Sequence, residues 1–356
     1  MSLRLPDFPW DTLAPLADIA RSHADGLIDL SVGTPVDPTP PIVQQALATH
    51  ANAPGYPTTA GSPELVAACR GWLTRRLGAE DEVGILPTIG SKEMVAWLPT
   101  GLGIGSSQTI VIPQIAYPTY EVGALIAGAT VVPTDHVEEV RDAALVWLNT
   151  PGNPTGAVLS AERLSEIVSW ARSRNIPVVS DECYIELGWE SAPVSILDSR
   201  VNGGDSSGLL ALHSLSKRSS MAGYRFGFVA GDPSLVSTLL GIRKHVGMMV
   251  PAPVQAAAIA AYNDDDHVDQ QREVYARRRS VLWAAVESAG FTIDHSEAGL
   301  YIWARSGNDA WTTARDLADR GILVAPGTFY GDDSHVRIAL TATDEQVDAA
   351  AARLAN

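Results

Sequence analysis

Short, wholly apolar runs recur through the first two thirds of the chain. They are Val83-Gly84-Ile85-Leu86, Thr109-Ile110-Val111-Ile112, Thr130-Val131-Val132, Ala144-Leu145-Val146-Trp147-Leu148, Ile176-Pro177-Val178-Val179, Leu209-Leu210-Ala211-Leu212 and Arg225-Phe226-Gly227-Phe228-Val229. A run without polar alternation suits a strand covered on both faces. Between several of them lie stretches with helical periodicity: Ser91 to Leu102, Tyr120 to Ala127 and Ser160 to Arg174. Ser160 is a candidate N-cap for the last of these, without the Glu of a full capping box. Strand and helix in alternation predict an α/β fold, a mostly parallel sheet of about seven strands flanked by helices.

The pattern changes after Asp232. Helices are predicted over Ser234–Lys244, Val254–Tyr262 and His267–Ala289, followed by strands at Gly299–Ala304, Ile322–Val324 and His335–Leu340. This reads as a smaller α+β domain. We place the large domain at residues 36–240 and the small one at 1–35 plus 241–356. Before the sheet, only Ile42 to His50 reads as a helix, and the first 30 or so residues are mixed and Pro-rich. The stretch from Asn202 to Gly208 reads as a flexible surface loop. There is no internal repeat and no sustained heptad.

A length of 356 residues with 46% apolar content supports two packed units. The net charge of −16 excludes a nucleic-acid footprint, which needs a basic stripe, and disfavours an anionic membrane surface. A small anionic substrate needs only a local positive pocket. Cys69 and Cys183 form neither a disulfide framework nor a metal-ligand spacing, and are read as buried apolar side chains in a reducing compartment. The Met1–Asp7 stretch has no apolar signal core, and no apolar run approaches the ~20 residues that span a bilayer. The expected location is the cytoplasm. Only three lysines exist: Lys92, Lys217 and Lys244.

In an open parallel sheet, ligands bind beyond the carboxyl ends of the strands. Those ends are distinctive here. Gly90-Ser91-Lys92 opens a helix, where free backbone N–H groups favour a phosphate. Tyr117-Pro118-Thr119-Tyr120 puts an aromatic ring at the sheet edge. Asn149 to Gly156 contains Asn153-Pro154-Thr155-Gly156. Asp181-Glu182-Cys183-Tyr184 and His213-Ser214-Leu215-Ser216-Lys217-Arg218 follow, with Arg225 eight residues past the lysine.

The phrases Asn-Pro-Thr-Gly, Asp-Glu-x-Tyr and Ser-x-Ser-Lys with a later Arg, in this order and spacing, resemble the fold-type I, class I/II aminotransferases. The resemblance runs from Gly33 to Arg337. It implies a pyridoxal 5'-phosphate (PLP) enzyme with Lys217 as the amine that carries the cofactor. Asp181 would keep the ring nitrogen protonated. Asn153 and Tyr184 would donate hydrogen bonds to the ring's phenolic oxygen, and Tyr117 would stack on the ring. Ser91, Lys92, Ser214, Ser216 and Arg225 would hold the phosphate. The resemblance further implies a homodimer with composite sites, in which Tyr56 crosses from the neighbouring subunit to the phosphate. Arg337 would fork onto the substrate α-carboxylate, beside Asn153, and Gly33 would let the N-terminal segment close over the substrate.

Further phrases, among them Leu5 to Leu13, Leu30 to Pro38, Arg243 to Gln255 and Asp294 to Ala304, resemble actinobacterial succinyldiaminopimelate aminotransferases of the lysine and cell-wall pathway. That implies glutamate as donor and N-succinyl-2-amino-6-oxopimelate as acceptor. Both carry a second carboxylate, for which Lys92, Arg218, Arg243 and Lys244 are the candidate cations. The same fold also supports other amino-acid specificities, β-lyases, decarboxylases, racemases and non-catalytic regulators. No basic helix-turn-helix precedes residue 30, which disfavours a regulator. A dinucleotide-binding enzyme is disfavoured because no Gly-x-Gly-x-x-Gly follows the first strand.

Overall fold

The computed structural model describes residues 5–80 and 82–355. The first residues of the N-terminal stretch, and the extreme ends of the assigned small domain, lie outside them. The central sheet has seven strands: β1 (Gly84–Thr88), β2 (Thr109–Ile112), β3 (Thr130–Pro133), β4 (Ala143–Asn149), β5 (Val178–Asp181), β6 (Leu209–Ser214) and β7 (Gly227–Gly231). Their spatial order is β1-β7-β6-β5-β4-β2-β3. Only β7 runs antiparallel to its neighbours. All other pairings are parallel, as the uninterrupted apolar runs predict. Trp147, Val179, Leu210 and Leu212 are buried against the helices on one face, and Val146, Val178 and Ala211 on the other.

The N-terminal third is more helical than its sequence pattern suggests. Ala14–Arg21 and Pro63–Leu77 are helices. The second carries its signals openly. Ser62 caps it by accepting from Leu65 N, Pro63 opens it, and Gly78 closes it at φ 67°. Its buried face, with Leu65, Cys69, Trp72 and Leu73, covers the sheet. Helix Ala252–Tyr262 joins the same core through Ala257, Ala258, Ala261 and Tyr262, so the packing around the large sheet reaches past residue 250.

A second core surrounds a four-stranded antiparallel sheet with the order Ala325–Pro326, Val336–Ala339, Tyr301–Arg305, Thr292–Ile293. The N-terminal segment is tied to this lobe. Ile28–Asp29 pairs in parallel with Ile322–Leu323, and Ala339 N donates to Leu30 O. The stretch read as a loop at 202–208 begins inside a helical turn, Ser199–Asn202, capped by Asp198. Among the described residues no helix is long and apolar enough to cross a membrane.

Candidate active site

The strand ends converge on a cavity of about 420 Å³ between the two cores. Gly33, Ser91, Lys92, Tyr117, Asn153, Asp181, Tyr184, Ser214, Ser216, Lys217, Arg225 and Arg337 all line it. Tyr56 does not; it is 99% exposed, away from its own chain's cavity.

Lys217 sits in a short helix, Leu215–Arg218, that leaves β6 directly. Ser214 caps that turn, accepting from Ser216 N at 3.1 Å and donating to Ser216 Oγ at 2.9 Å. The lysine Nζ donates to Gly33 O. Burial pushes the amine below its ordinary value of 10.5. Tyr301 opposes the shift, and the nearby Arg337 and Arg225 charges add to it.

Asp181, at the end of β5, receives Tyr120 OH at 3.0 Å and Cys183 N at 3.2 Å. Burial raises its carboxyl, and those hydrogen bonds hold the rise back. Asn149 braces the neighbouring loop. Its amide donates to Asp181 O at 3.0 Å and Pro151 O at 3.1 Å, while its carbonyl accepts from Asn153 N at 2.8 Å. Tyr184 OH and Tyr301 OH are 3.0 Å apart.

One end of the cavity suits an anion. Ser91 begins the helix Ser91–Gly101 after Gly90 at φ 74°, leaving first-turn N–H groups free. A Cβ on Gly90 would collide with the Arg225 guanidinium, so glycine there lets that side chain reach the helix start. The apolar run Arg225–Val229 predicts a strand that begins at Arg225. Arg225 is instead a left-handed residue, φ 56°, before β7, and its Nη1 donates to Ala222 O at 2.8 Å. That turn swings it back to the cavity.

Arg337 stands at the other end. It is buried, donates to Asn153 Oδ1 at 2.9 Å and Ser31 O at 2.5 Å, and lies 4.0 Å from the Tyr301 ring centroid. No carboxylate pairs with it among the described residues, and its Nε has no hydrogen-bond partner. An unpaired buried guanidinium is costly, which marks it as a seat for an anion. Gly33 is required nearby, because a Cβ there would overlap Tyr301.

Of the four cations considered for a distal carboxylate, the structure brings only Lys92 to the cavity. Its Nζ lies 5.1 Å from the Phe8 ring centroid and 5.8 Å from that of Tyr117. Arg218 points to the opposite face of the sheet and pairs with Glu186 at 2.7 Å. Arg243 is buried against Glu93 at 2.6 Å, and Lys244 is exposed beyond the cavity. Burial of these guanidiniums in ion pairs is their physical reason for being elsewhere.

Cys183 corrects a further expectation. It is only half-buried and lines the cavity beside Asp181. Tyr120, Asn149, Tyr301, Phe8 and Trp10 also line it and were not singled out in the sequence. Tyr120 and Asn149 each flank a recognised phrase. Tyr301 lies inside the quoted Asp294–Ala304 phrase, but its partner Tyr184 is 117 positions away, so its place in the site has no local signature.

The arrangement fits PLP. The serine and arginine end would take the phosphate, Asp181 would face the ring nitrogen, and Lys217 would reach the aldehyde.

Comparison with known proteins agrees. The family model for aminotransferase class I and II matches residues 25–354. The chain is 55% identical over 99% of its length to a probable aminotransferase of Mycobacterium tuberculosis, covering 86% of that protein. It is 54% identical over 98% of its length to the 4-dedimethylamino-4-oxo-anhydrotetracycline transaminase of Streptomyces rimosus, covering 99% of it. Among solved structures, a probable N-succinyldiaminopimelate aminotransferase from Thermus thermophilus superposes with a TM-score of 0.88 at 27% identity, covering 98% of this chain and 99% of that one. With the fold, the cavity and these relatives in agreement, the chain belongs to the class I and II aminotransferases and is a PLP-dependent enzyme.

Proposed function

We propose that this enzyme moves an amino group from glutamate to a keto acid carrying a second carboxylate, with N-succinyl-2-amino-6-oxopimelate as acceptor. The observation that carries the reading is the pair of cations in one cavity, Arg337 buried without an acid partner and Lys92 over the aromatic wall. Their separate positions match two anionic groups on one substrate. An LL-diaminopimelate aminotransferase of Dehalococcoides mccartyi, 32% identical over 99% of the chain, supports an acceptor of this class.

When bound, PLP supplies an aldehyde that condenses with amines and a ring that accepts electrons from the substrate α-carbon. Lys217 holds the cofactor and, once displaced by substrate, moves a proton at that α-carbon. Burial lowers its pKa, which favours the neutral form that this work needs. Asp181 holds a proton at the ring nitrogen. Asn153 and Tyr184 donate to the phenolic oxygen, and Tyr117 packs on the ring face. Ser91, Ser214, Ser216 and Arg225 orient the phosphate, with Lys92 near that rim. Arg337 orients the α-carboxylate under the Gly33 segment.

Two observations favour a second acceptor, a fused-ring ketone. One is the likeness to the tetracycline-pathway transaminase, and the other is the wall of Phe8, Trp10 and Tyr117. The half-reactions decide between them. Glutamate alone should aminate the cofactor and release 2-oxoglutarate. The succinylated keto acid should then discharge it at least ~10-fold faster than the 4-oxo-anhydrotetracycline, about 1.4 kcal/mol. The opposite order selects the second reading. Lys92→Ala should raise KM for the succinylated acceptor about 10-fold, the worth of one charge-assisted hydrogen bond, and leave alanine as donor unaffected.

The cofactor end has its own test. Gly90→Ala forces a side chain onto the Arg225 guanidinium at positive φ. Dialysis against phosphate should strip PLP from this variant, with Kd raised about 10-fold or more.

Tyr56 enters the reading through a twofold assembly in which it reaches the cavity of a second copy. Mixing inactive Lys217→Ala with weakly active Tyr56→Ala protein should then restore activity by forming one intact site per mixed dimer. No recovery after subunit exchange refutes a shared site.

A further inference from the structure

Three residues of the cavity have chain neighbours that face the other side of the sheet. Glu182 follows Asp181, His213 precedes Ser214, and Arg218 follows Lys217. His213 and Ser214 alternate across β6, while Glu182 and Arg218 follow directly on Asp181 and Lys217 where the chain leaves β5 and β6, so each pair shares a backbone link between the two faces. On the far face these neighbours meet Glu186 and Trp72 around a cavity of about 10 Å³. That is the space of one water molecule.

The cavity is surrounded by unmet hydrogen-bonding groups. Glu182 Oε2, both ring nitrogens of His213 and Arg218 Nη1 and Nη2 are buried without a hydrogen-bond partner, while Arg218 Nε is held in an ion pair with Glu186 Oε2 at 2.7 Å. Leaving such groups dry is costly, so an internal water is favoured. Glu182 Oε2 and His213 Nε2 lie 3.8 Å apart, too far for a direct hydrogen bond. The remaining bonds are rigid. Glu182 Oε1 accepts from Ile196 N at 2.8 Å, and Glu182 N donates to Leu212 O at 2.9 Å. The His213 ring is fixed edge-on to Trp72 at 5.0 Å and tilted against Phe228 at 5.0 Å. Arg218 lies over Trp72 and Tyr262.

We propose that Glu182, His213 and Arg218 form a positioning network, completed by one internal water, that fixes Asp181 and Lys217 from the face of the sheet away from the cofactor. None of the three touches the reacting atoms. Burial favours the neutral form of both the Glu182 carboxyl and the His213 imidazole. It raises the carboxyl to about 7 and lowers the imidazole to about 3. The charged and titratable groups around them are Asp181, Arg218, Glu186 and Arg76, with Cys69, Tyr262 and His267 beside Arg218.

The inference rests on the roles proposed for Asp181 and Lys217, and its tests separate the two. A high-resolution crystal structure of the holoenzyme should show a water within hydrogen-bond distance of Glu182 and His213. His213→Phe keeps the ring packing but has no nitrogen for that water. It should shift the pH midpoint of the bound cofactor's visible absorbance by about one unit and lower kcat about 10-fold, with KM for glutamate within about twofold. Glu182→Ala should behave alike, and Glu182→Gln, which still bonds Ile196 N and the water, should restore parental values. A dry cavity overturns the proposal. So do a His213→Phe absorbance titration and kcat equal to the parent's, which decide the matter even if Glu182→Ala fails to fold. If Lys217 proved not to carry the cofactor, the functional reading would fall while the water result stood.

Discussion

Changing Lys217 to alanine is expected to lower transamination by about 10⁴-fold or more while the protein keeps its helix content and melting temperature. The loss is large because in the proposed mechanism the same amine carries the cofactor and moves the proton, and no other lysine replaces it. Lys92 lies toward the Phe8 rim and Lys244 is exposed, so no other lysine stands at the end of β6. Stability is spared for a related reason. Burial disfavours the charged form of Lys217, so its removal sacrifices no ion pair, and the space it leaves opens into the cavity. Single-turnover amination with glutamate gives the rate. Borohydride reduction of the parent followed by peptide mapping gives the position, and a label on Lys92 or Lys244 contradicts the assignment.

Arg337→Ala is expected to lower kcat/KM for glutamate by about 10²- to 10³-fold, some 3–4 kcal/mol. The side chain is one of the largest wholly buried groups in the protein and has no internal anion. A substrate carboxylate would find a desolvated fork already held by Asn153 Oδ1 and Ser31 O. Arg337→Lys should recover only part of the loss, because a point charge lacks the fork. An amine without a carboxylate supplies the control. Its slow turnover should be nearly equal in parent and Arg337→Ala. An equal fall with that amine would show that the arginine acts on the fold rather than on the substrate.

How much of this was legible in the sequence depends on the range of the interactions involved. Six of the seven strands of the large sheet were visible because burial on both faces removes polar residues from them, and the edge strand Thr130–Pro133 shows the same apolar run while only partly covered. Strand ends carry chemistry, so Asp181, Lys217 and Asn153 followed from where the apolar runs stop. Helix Pro63–Leu77 was missed although Ser62, Pro63 and Gly78 marked its limits, because Arg70, Arg75 and Arg76 dilute its apolar stripe. The choice among Lys92, Arg218, Arg243 and Lys244 was beyond any local pattern. Arg218 and Arg243 are claimed by Glu186 and Glu93, 32 and 150 positions away. Tyr301 became a site residue only by facing Tyr184 across the two lobes. Such pairings are set by tertiary packing.

The join between the two ends of the chain has a consequence for synthesis. Arg337 donates to Ser31 O across 306 positions, and Ile28–Asp29 finds its strand partner only at Ile322–Leu323. A ribosome would therefore release the central sheet, with Lys217 and Asp181 in place, well before the carboxylate seat exists. Closing so long a loop comes late in folding. A nascent chain halted before residue 322 would lack Arg337, the proposed clamp for the substrate carboxylate, together with the strand that anchors Ile28–Asp29.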